Sequence, residues 1–418
     1  MYTAAHNAEK NKIRRNGDRM DTLENFRQET RSWLSESCPE SMREPASEDQ
    51  IVGGGSKQQY DNPDKKLWLD RMAVRGWTAP TWPKEYGGGG LTKQEFMILQ
   101  DEMQLIKARA PIGGMGFSMI GPTLLDYGTE EQKAEHLPKI ATGELRWCQG
   151  YSEPGAGSDL ASLQTKCDDE GDYFRVNGQK VWTSGAQYAD WIFTLVRTDP
   201  QVPKHDGISF VLIDMNQPGV TVNPIKLISG NSPFCETFFE DARCEKYNLV
   251  GQLNRGWTVG KRLLQHERSS ISGLSGGGRR GRYDTLGSLP EVAKQYLGEM
   301  DGKVADVAVR EAVLKNQMNN HAFGLTQRRA MQESDTGGTP TFLTSLFKYY
   351  GSENQTERLE IQLEAMGSQA LGWEGDAFSD LEHKLTRTWL RSKASTIAGG
   401  SSEIQLNIIA KRVLGLPD

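Results

Sequence analysis

The feature that most constrains this chain is where its β-rich stretches begin and end. Residues 173–176, 191–198, 208–213, 220–222 and 236–240 are short runs of β-branched and aromatic residues, separated by Gly, Pro, Asn and Asp. Helical spacing governs what lies before and after them. Leu23, Phe26, Thr30, Trp33 and Leu34 share one helical face, as do Phe96, Leu99, Met103 and Ile106. Thr92-Lys93-Gln94-Glu95 and Thr129-Glu130-Glu131-Gln132 are capping-box patterns that open helices. After Gly256 the helical pattern returns and runs to the end, interrupted by a glycine-rich loop at 275–282. A chain of 418 residues is too long for one small core. The expected fold class is α+β multidomain: an N-terminal helical domain (21–144), a central antiparallel β-barrel or sandwich (145–250) and a C-terminal four-helix bundle (251–418). Residues 1–20 are polar and basic without an apolar stretch, which suits a disordered extension.

Composition removes several function classes. A net charge of −6 argues against nucleic acid as a partner. No apolar run approaches the ~18 residues that a membrane helix needs. Five cysteines without a CxxC suit reduced thiols and a cytoplasmic location. Six scattered histidines lack metal-ligand spacing, so no metal is expected.

Two segments stand out as ligand contacts. Tyr151-Ser152-Glu153-Pro154-Gly155-Ala156-Gly157-Ser158-Asp159 is a turn whose small residues let backbone N–H groups and hydroxyls approach a ligand. A plain surface turn is the simpler reading of those residues alone. Asn177-Gly178 reads as a hairpin turn before a strand delivering the Trp182 indole and the Thr183 and Ser184 hydroxyls. On the helix after Gly256, Val259, Leu263, Ile271 and Leu274 form an apolar stripe, and Glu267 falls on it. A carboxylate there is costly unless paired or used, and burial raises its pKa towards a base's working range. The pattern leaves two roles open, a structural ion pair with a neighbour such as Arg268 and a general base. Between Gly113 and Gly121, Met115, Phe117 and Met119 suit either close helix packing or an adaptable acyl-chain wall.

Together the turn at 151–159 and the strand at 177–185 resemble the flavin-binding middle domain of the acyl-CoA dehydrogenase family, and the resemblance extends from about Leu23 to the end of the chain. It implies FAD as cofactor, an acyl-CoA substrate, α,β-dehydrogenation to a trans-2-enoyl-CoA as in β-oxidation or steroid side-chain catabolism, and an electron-transfer flavoprotein as electron acceptor. Most members carry the catalytic Glu directly before a Gly-Thr/Ser-Ser run near the C-terminus. Here that run is Ile397-Ala398-Gly399-Gly400-Ser401-Ser402-Glu403, and Gly399 takes the Glu position. A branch similar to isovaleryl-CoA and long-chain acyl-CoA dehydrogenases places its Glu before an Arg on the helix following the β-domain, and His266-Glu267-Arg268 matches it. The resemblance therefore implies Glu267 as the base, with Glu403 the weaker candidate. It implies the Gly399 N–H as an oxyanion donor and Ser158, Arg268 and Gly399 as substrate contacts. It further implies Gln149, Tyr151, Ser152, Gly157, Ser158, Trp182, Thr183, Ser184, Ser401 and Glu403 around the flavin.

Many members also carry an Arg-x-x-Phe-Gly that reaches a neighbouring subunit's flavin. This chain has Ser275-Gly276-Gly277-Gly278-Arg279-Arg280-Gly281-Arg282 in that region instead. Helical-bundle faces suggest self-association, as a homodimer or homotetramer. The departures keep three alternatives open: an acyl-CoA oxidase or other flavoprotein oxidising a small nitro or amine substrate, a flavin-binding subunit without dehydrogenation, and a hetero-oligomer whose sister chain completes the site.

Overall fold

The computed structural model describes residues 21–44, 50–271, 286–335 and 343–417, and the side chains of 267–271 and 331–335 lie outside that description. The glycine-rich segment with Arg279, Arg280 and Arg282, and the proposed extension at 1–20, fall outside it as well. The N-terminal region is helical: α1 (21–37), α2 (Pro63–Val74), α3 (Lys93–Leu105), a π-helical turn (Gly116–Ile120), α4 (Gly121–Tyr127) and α5 (Glu130–Ala141). Both capping boxes close as their sequences dictate. The Thr92 N–H donates to Glu95 at 2.7 Å and the Thr129 N–H to Gln132 at 3.0 Å. Asn62 caps α2 and Pro63 takes its first turn, where a missing N–H costs nothing. Leu34, Trp68, Met72, Trp77 and Leu99 make one core here.

The central domain is a seven-stranded sheet in the order β1–β4–β2–β3–β7–β6, with β5 on the free side of β4. Its strands are β1 (Trp147–Gly150), β2 (Lys166–Asp169), β3 (Tyr173–Ser184), β4 (Trp191–Arg197), β5 (Ile208–Asp214), β6 (Val220–Ile225) and β7 (Phe234–Glu245). Pairing is mostly antiparallel, but β1 runs parallel to β4, so this half-barrel sheet is mixed. The four-residue strands β1 and β2 were not among the five expected. Asn177-Gly178 is not a hairpin turn: it lies inside β3, where the register shifts against β7. The glycine is needed because a Cβ on it would press on Thr165 of the neighbouring β2 side.

The C-terminal region holds α6 (Gly256–Ile271), α7 (Leu289–Leu297), α8 (Val307–Asp335), α9 (Leu343–Met366), α10 (Asp380–Ser392) and α11 (Ser402–Arg412). α9 is central, with α7, α8, α10 and α11 against it. A two-strand hairpin, β8 (Glu299–Met300) and β9 (Lys303–Val304), interrupts the helices. Its turn residues Asp301 and Gly302 both have positive φ, the type I′ geometry that Asp-Gly favours. The site depends on one shared core. Ile120, Leu124, Leu137 and Ile140 of the N-terminal region pack with Tyr151, Phe193, Leu195 and Phe210 of the sheet and with Val259 and Leu263 of α6.

Candidate active site

The turn that begins at Tyr151 follows directly from β1 and lies against β3. The Val181 N–H donates to the Ser152 carbonyl at 2.9 Å, and Glu153 and Ala156 exchange two backbone hydrogen bonds at 3.0 Å. Tyr151 is buried, edge-on to Phe193 and Phe210. Ser152 and Gln149 are half-buried, whereas Gly157 and Ser158 are exposed. A Cβ on Gly155 or Gly157 would meet nothing, so this stretch presents open backbone.

What holds the turn down was not apparent in the sequence. Lys180, fully buried on β3, reaches Glu153 at 2.7 Å and the Tyr151 carbonyl at 3.2 Å. Glu153 also accepts from the backbone of Gln164 (2.6 Å) and Thr165 (2.9 Å). Burial opposes the Glu153 charge, but Lys180 and these donors outweigh it and hold its pKa below the usual carboxylate range. Burial brings Lys180 down to about 8 against the pull of Glu153. The only available signal was a lysine in mid-strand, 27 residues from a glutamate whose role was not evident.

Beyond Lys180 the β3 register slips again, between Lys180 and Thr183. Trp182 occupies the bulge with φ of 61° and an indole 53% exposed, a strained conformation for so large a side chain. Thr183 turns inward. Its hydroxyl donates to the Cys235 carbonyl (2.9 Å) and lies 2.8 Å from that of Thr237, so the hydroxyl is committed within the sheet. Ser184 is half-buried beside Phe234 on β7.

Helix α6 approaches the same place from the other side. Gly260 lies against Leu195, and a Cβ there would come within 3.4 Å of the Tyr151 hydroxyl oxygen. Val259 and Leu263 are buried, as the apolar stripe requires. Residue 267 is two helical turns beyond Gly260 on the same line. Just before it, Arg262 (2.7 Å) and His266 (3.1 Å) both reach Asp126 of α4, which ties this end of α6 to the N-terminal region. The side chains of Glu267 and Arg268 lie outside the described residues. At the start of α6, His205, Asp206, Asn254, Arg255, Trp257, Thr258 and Lys261 line a surface cavity of about 420 Å³. The neighbouring Lys204 pairs with Asp159, next to Ser158, at 2.8 Å.

The C-terminal run forms a tight turn. Gly399 (φ 69°) and Gly400 (φ 91°) are both left-handed, and the Gln405 amide donates to their carbonyls at 3.0 and 3.3 Å. Ser401 caps α11 by accepting from the Ile404 N–H. Ser402 donates to Glu353 of α9 at 2.5 Å. Glu403 stands exposed in the first turn of α11, and its own backbone N–H and the Ser401 hydroxyl lower its pKa.

Residues 20–144, 148–242 and 254–414 match the models of the acyl-CoA dehydrogenase N-terminal, middle and C-terminal domains, in that order. The chain belongs to the acyl-CoA dehydrogenase family. Acyl-CoA dehydrogenase IpdE1 of Mycolicibacterium smegmatis is 35% identical over 409 residues, 95% of this chain and 99% of its own length. Among solved structures, the ChsE4-ChsE5 complex from Mycobacterium tuberculosis is 30% identical with a TM-score of 0.73, covering 95% of this chain and 98% of the matched one. The Tcur3481-Tcur3483 steroid ACAD is 29% identical with a TM-score of 0.74 over the same shares. The family implies FAD, and this acyl-CoA dehydrogenase has no described helix long and apolar enough to cross a membrane.

Proposed function

We propose that this acyl-CoA dehydrogenase removes the α-proton and β-hydride of an acyl-CoA with Glu267 as base, yielding the trans-2-enoyl-CoA. The observation that carries the reading is the exchange between two positions. Glycine stands at 399, where most of the family has its carboxylate, and a glutamate stands at 267 in helical register with Val259 and Leu263, which are buried beside Tyr151. Glu403, the competing carboxylate, is exposed with a lowered pKa, the opposite of what a base needs.

The residues present fit a flat cofactor. The groups we assign to it are the exposed indole at Trp182, half-buried Ser152 and Ser184, and the open backbone at Gly155 and Gly157. FAD, when bound there, supplies the hydride acceptor. The protein's tasks are then to hold the thioester oxygen through the Gly399 N–H, which lowers the α-proton pKa, and to take that proton on Glu267. Ser158, Arg268 and the basic cavity with Arg255 and Lys261 suit the CoA phosphates. Electrons leave to an electron-transfer flavoprotein.

Anaerobic mixing with a panel of acyl-CoAs tests the reading, because one member should bleach the flavin band. Glu267→Gln should keep FAD and slow that bleaching by ~10²-fold or more. A Gln variant as fast as the parent would overturn the assignment.

A second reading concerns assembly. Two of the solved relatives are named as pairs of different chains, which supports a hetero-oligomer with a sister chain, acting on a steroid-derived acyl-CoA. This chain expressed alone should then hold substoichiometric FAD. A self-assembled oligomer with full FAD that acyl-CoA bleaches would exclude it.

A further inference from the structure

We infer that Arg391, in the last turn of α10, is a positioning residue for the Trp182 indole, acting through Phe234. Trp182 lies outside the regular pairing of β3 with β7. It falls between the paired positions Lys180↔Thr237 and Thr183↔Cys235, so the ladder gives it no cross-strand partner to fix its direction. Its φ is left-handed and its ring largely exposed. Its ring contact is with Phe234, edge to face, centroids 6.0 Å apart and planes at 87°. The orientation of the indole therefore depends on Phe234.

Phe234 is the first residue of β7 and ends its ladder, paired with Ser184 on one side and Ile225 on the other. The Arg391 guanidinium covers its ring at 4.6 Å, a cation–π contact from the C-terminal region onto the sheet. One turn earlier on the same face of α10, Arg387 stacks on Trp373 at 4.6 Å and donates to its carbonyl at 2.8 Å. Trp373 in turn lies 3.2 Å from where a Cβ on Gly230 would sit, in the connection leading to Phe234. Two arginines four residues apart thus bear on the β6–β7 connection, Arg387 through Trp373 at Gly230 and Arg391 at Phe234, where the connection ends. α10 continues through the short turn at Lys393–Thr396 into Gly399-Gly400. One helix consequently sets both the ring beneath Trp182 and the start of the glycine turn.

The value of this to catalysis rests on Trp182 facing the flavin, as proposed above, but the coupling itself does not. It is tested by 19F NMR of the full chain labelled with 5-fluorotryptophan, with the Trp182 resonance assigned by its loss in Trp182→Phe. Arg391→Ala should shift the Trp182 resonance, Phe234→Leu should shift it likewise, and Arg391→Lys, which keeps a cation, should stay near the parent. Resonances of the N-terminal Trp33, Trp68 and Trp77 should be unchanged, which reports that the variants fold. An unmoved Trp182 signal in Arg391→Ala, with the fold intact, would overturn the inference. FAD titration then separates the two ideas. Arg391→Ala should weaken FAD about two- to fivefold in the parent and not further in Trp182→Phe. If the resonance moves while neither variant affects FAD, the coupling stands and the placement of Trp182 at the flavin fails.

Discussion

The two turns assigned to this active site are built on opposite principles. The turn at Glu153–Ala156 is pinned from beneath by a buried ion pair, Glu153 with Lys180, and losing either charge would strand the other. The turn at Gly399-Gly400 is held by a neutral amide, Gln405, reaching two carbonyls. The first is a rigid seat that depends on charge. The second depends on backbone conformation, which only glycine adopts without strain at φ of 69° and 91°. Under the proposed function this division would give the cofactor a seat fixed at folding and the substrate oxygen a backbone N–H without a side chain beside it.

The strongest way to break the comparison is Glu153→Gln. It leaves the Lys180 ammonium buried without its countercharge and should cost about 3–5 kcal/mol in urea unfolding. A loss under ~1 kcal/mol would mean that the pair does not anchor the turn. Acid sharpens the same contrast. The unfolded Glu153 carboxyl titrates near 4.5 and the folded one below it, so the unfolded chain binds the proton first. Its contribution is whole above pH 4.5 and is lost as pH falls through the folded value. The stability gap between parent and Glu153→Gln should therefore narrow below about pH 4.5. A gap constant down to pH 3 would contradict this. The smallest effect belongs to the neutral turn. Gln405→Ala removes one donor shared by two carbonyls and should cost ~1–3 kcal/mol, with no such pH dependence in its gap from the parent.

The outline of the fold was legible because long-range context and local pattern agree there. Helical stripes such as Phe26, Thr30 and Trp33, and boxes such as Thr92–Glu95, carry their own instructions. The strands β1 and β2 were not legible, since four residues are too few to show alternation, and β1 ends in glycine. Asn177-Gly178 misled for a related reason: the pair favours a turn locally, but β7 runs past it and turns the glycine into a bulge. In the site, the α6 stripe was readable since Val259 and Leu263 sit one turn apart. The Glu153–Lys180 pair was not, because its meaning exists only once β1 and β3 are neighbours. The inward commitment of Thr183 was hidden likewise, as alternation counted from Lys180 would point it outward.

Along most of β3 inside and outside alternate, yet Lys180 and Thr183, three residues apart, are both buried and Trp182 between them is exposed. The bulge changes the parity of the strand. It allows a single segment to carry an anchor, a platform and a core residue in four consecutive places, which a regular strand has no arithmetic to do. Losing one residue here would restore even counting with Lys180 and Thr183 still on one buried side, but it would remove the bulge and the left-handed φ that set the direction of Trp182.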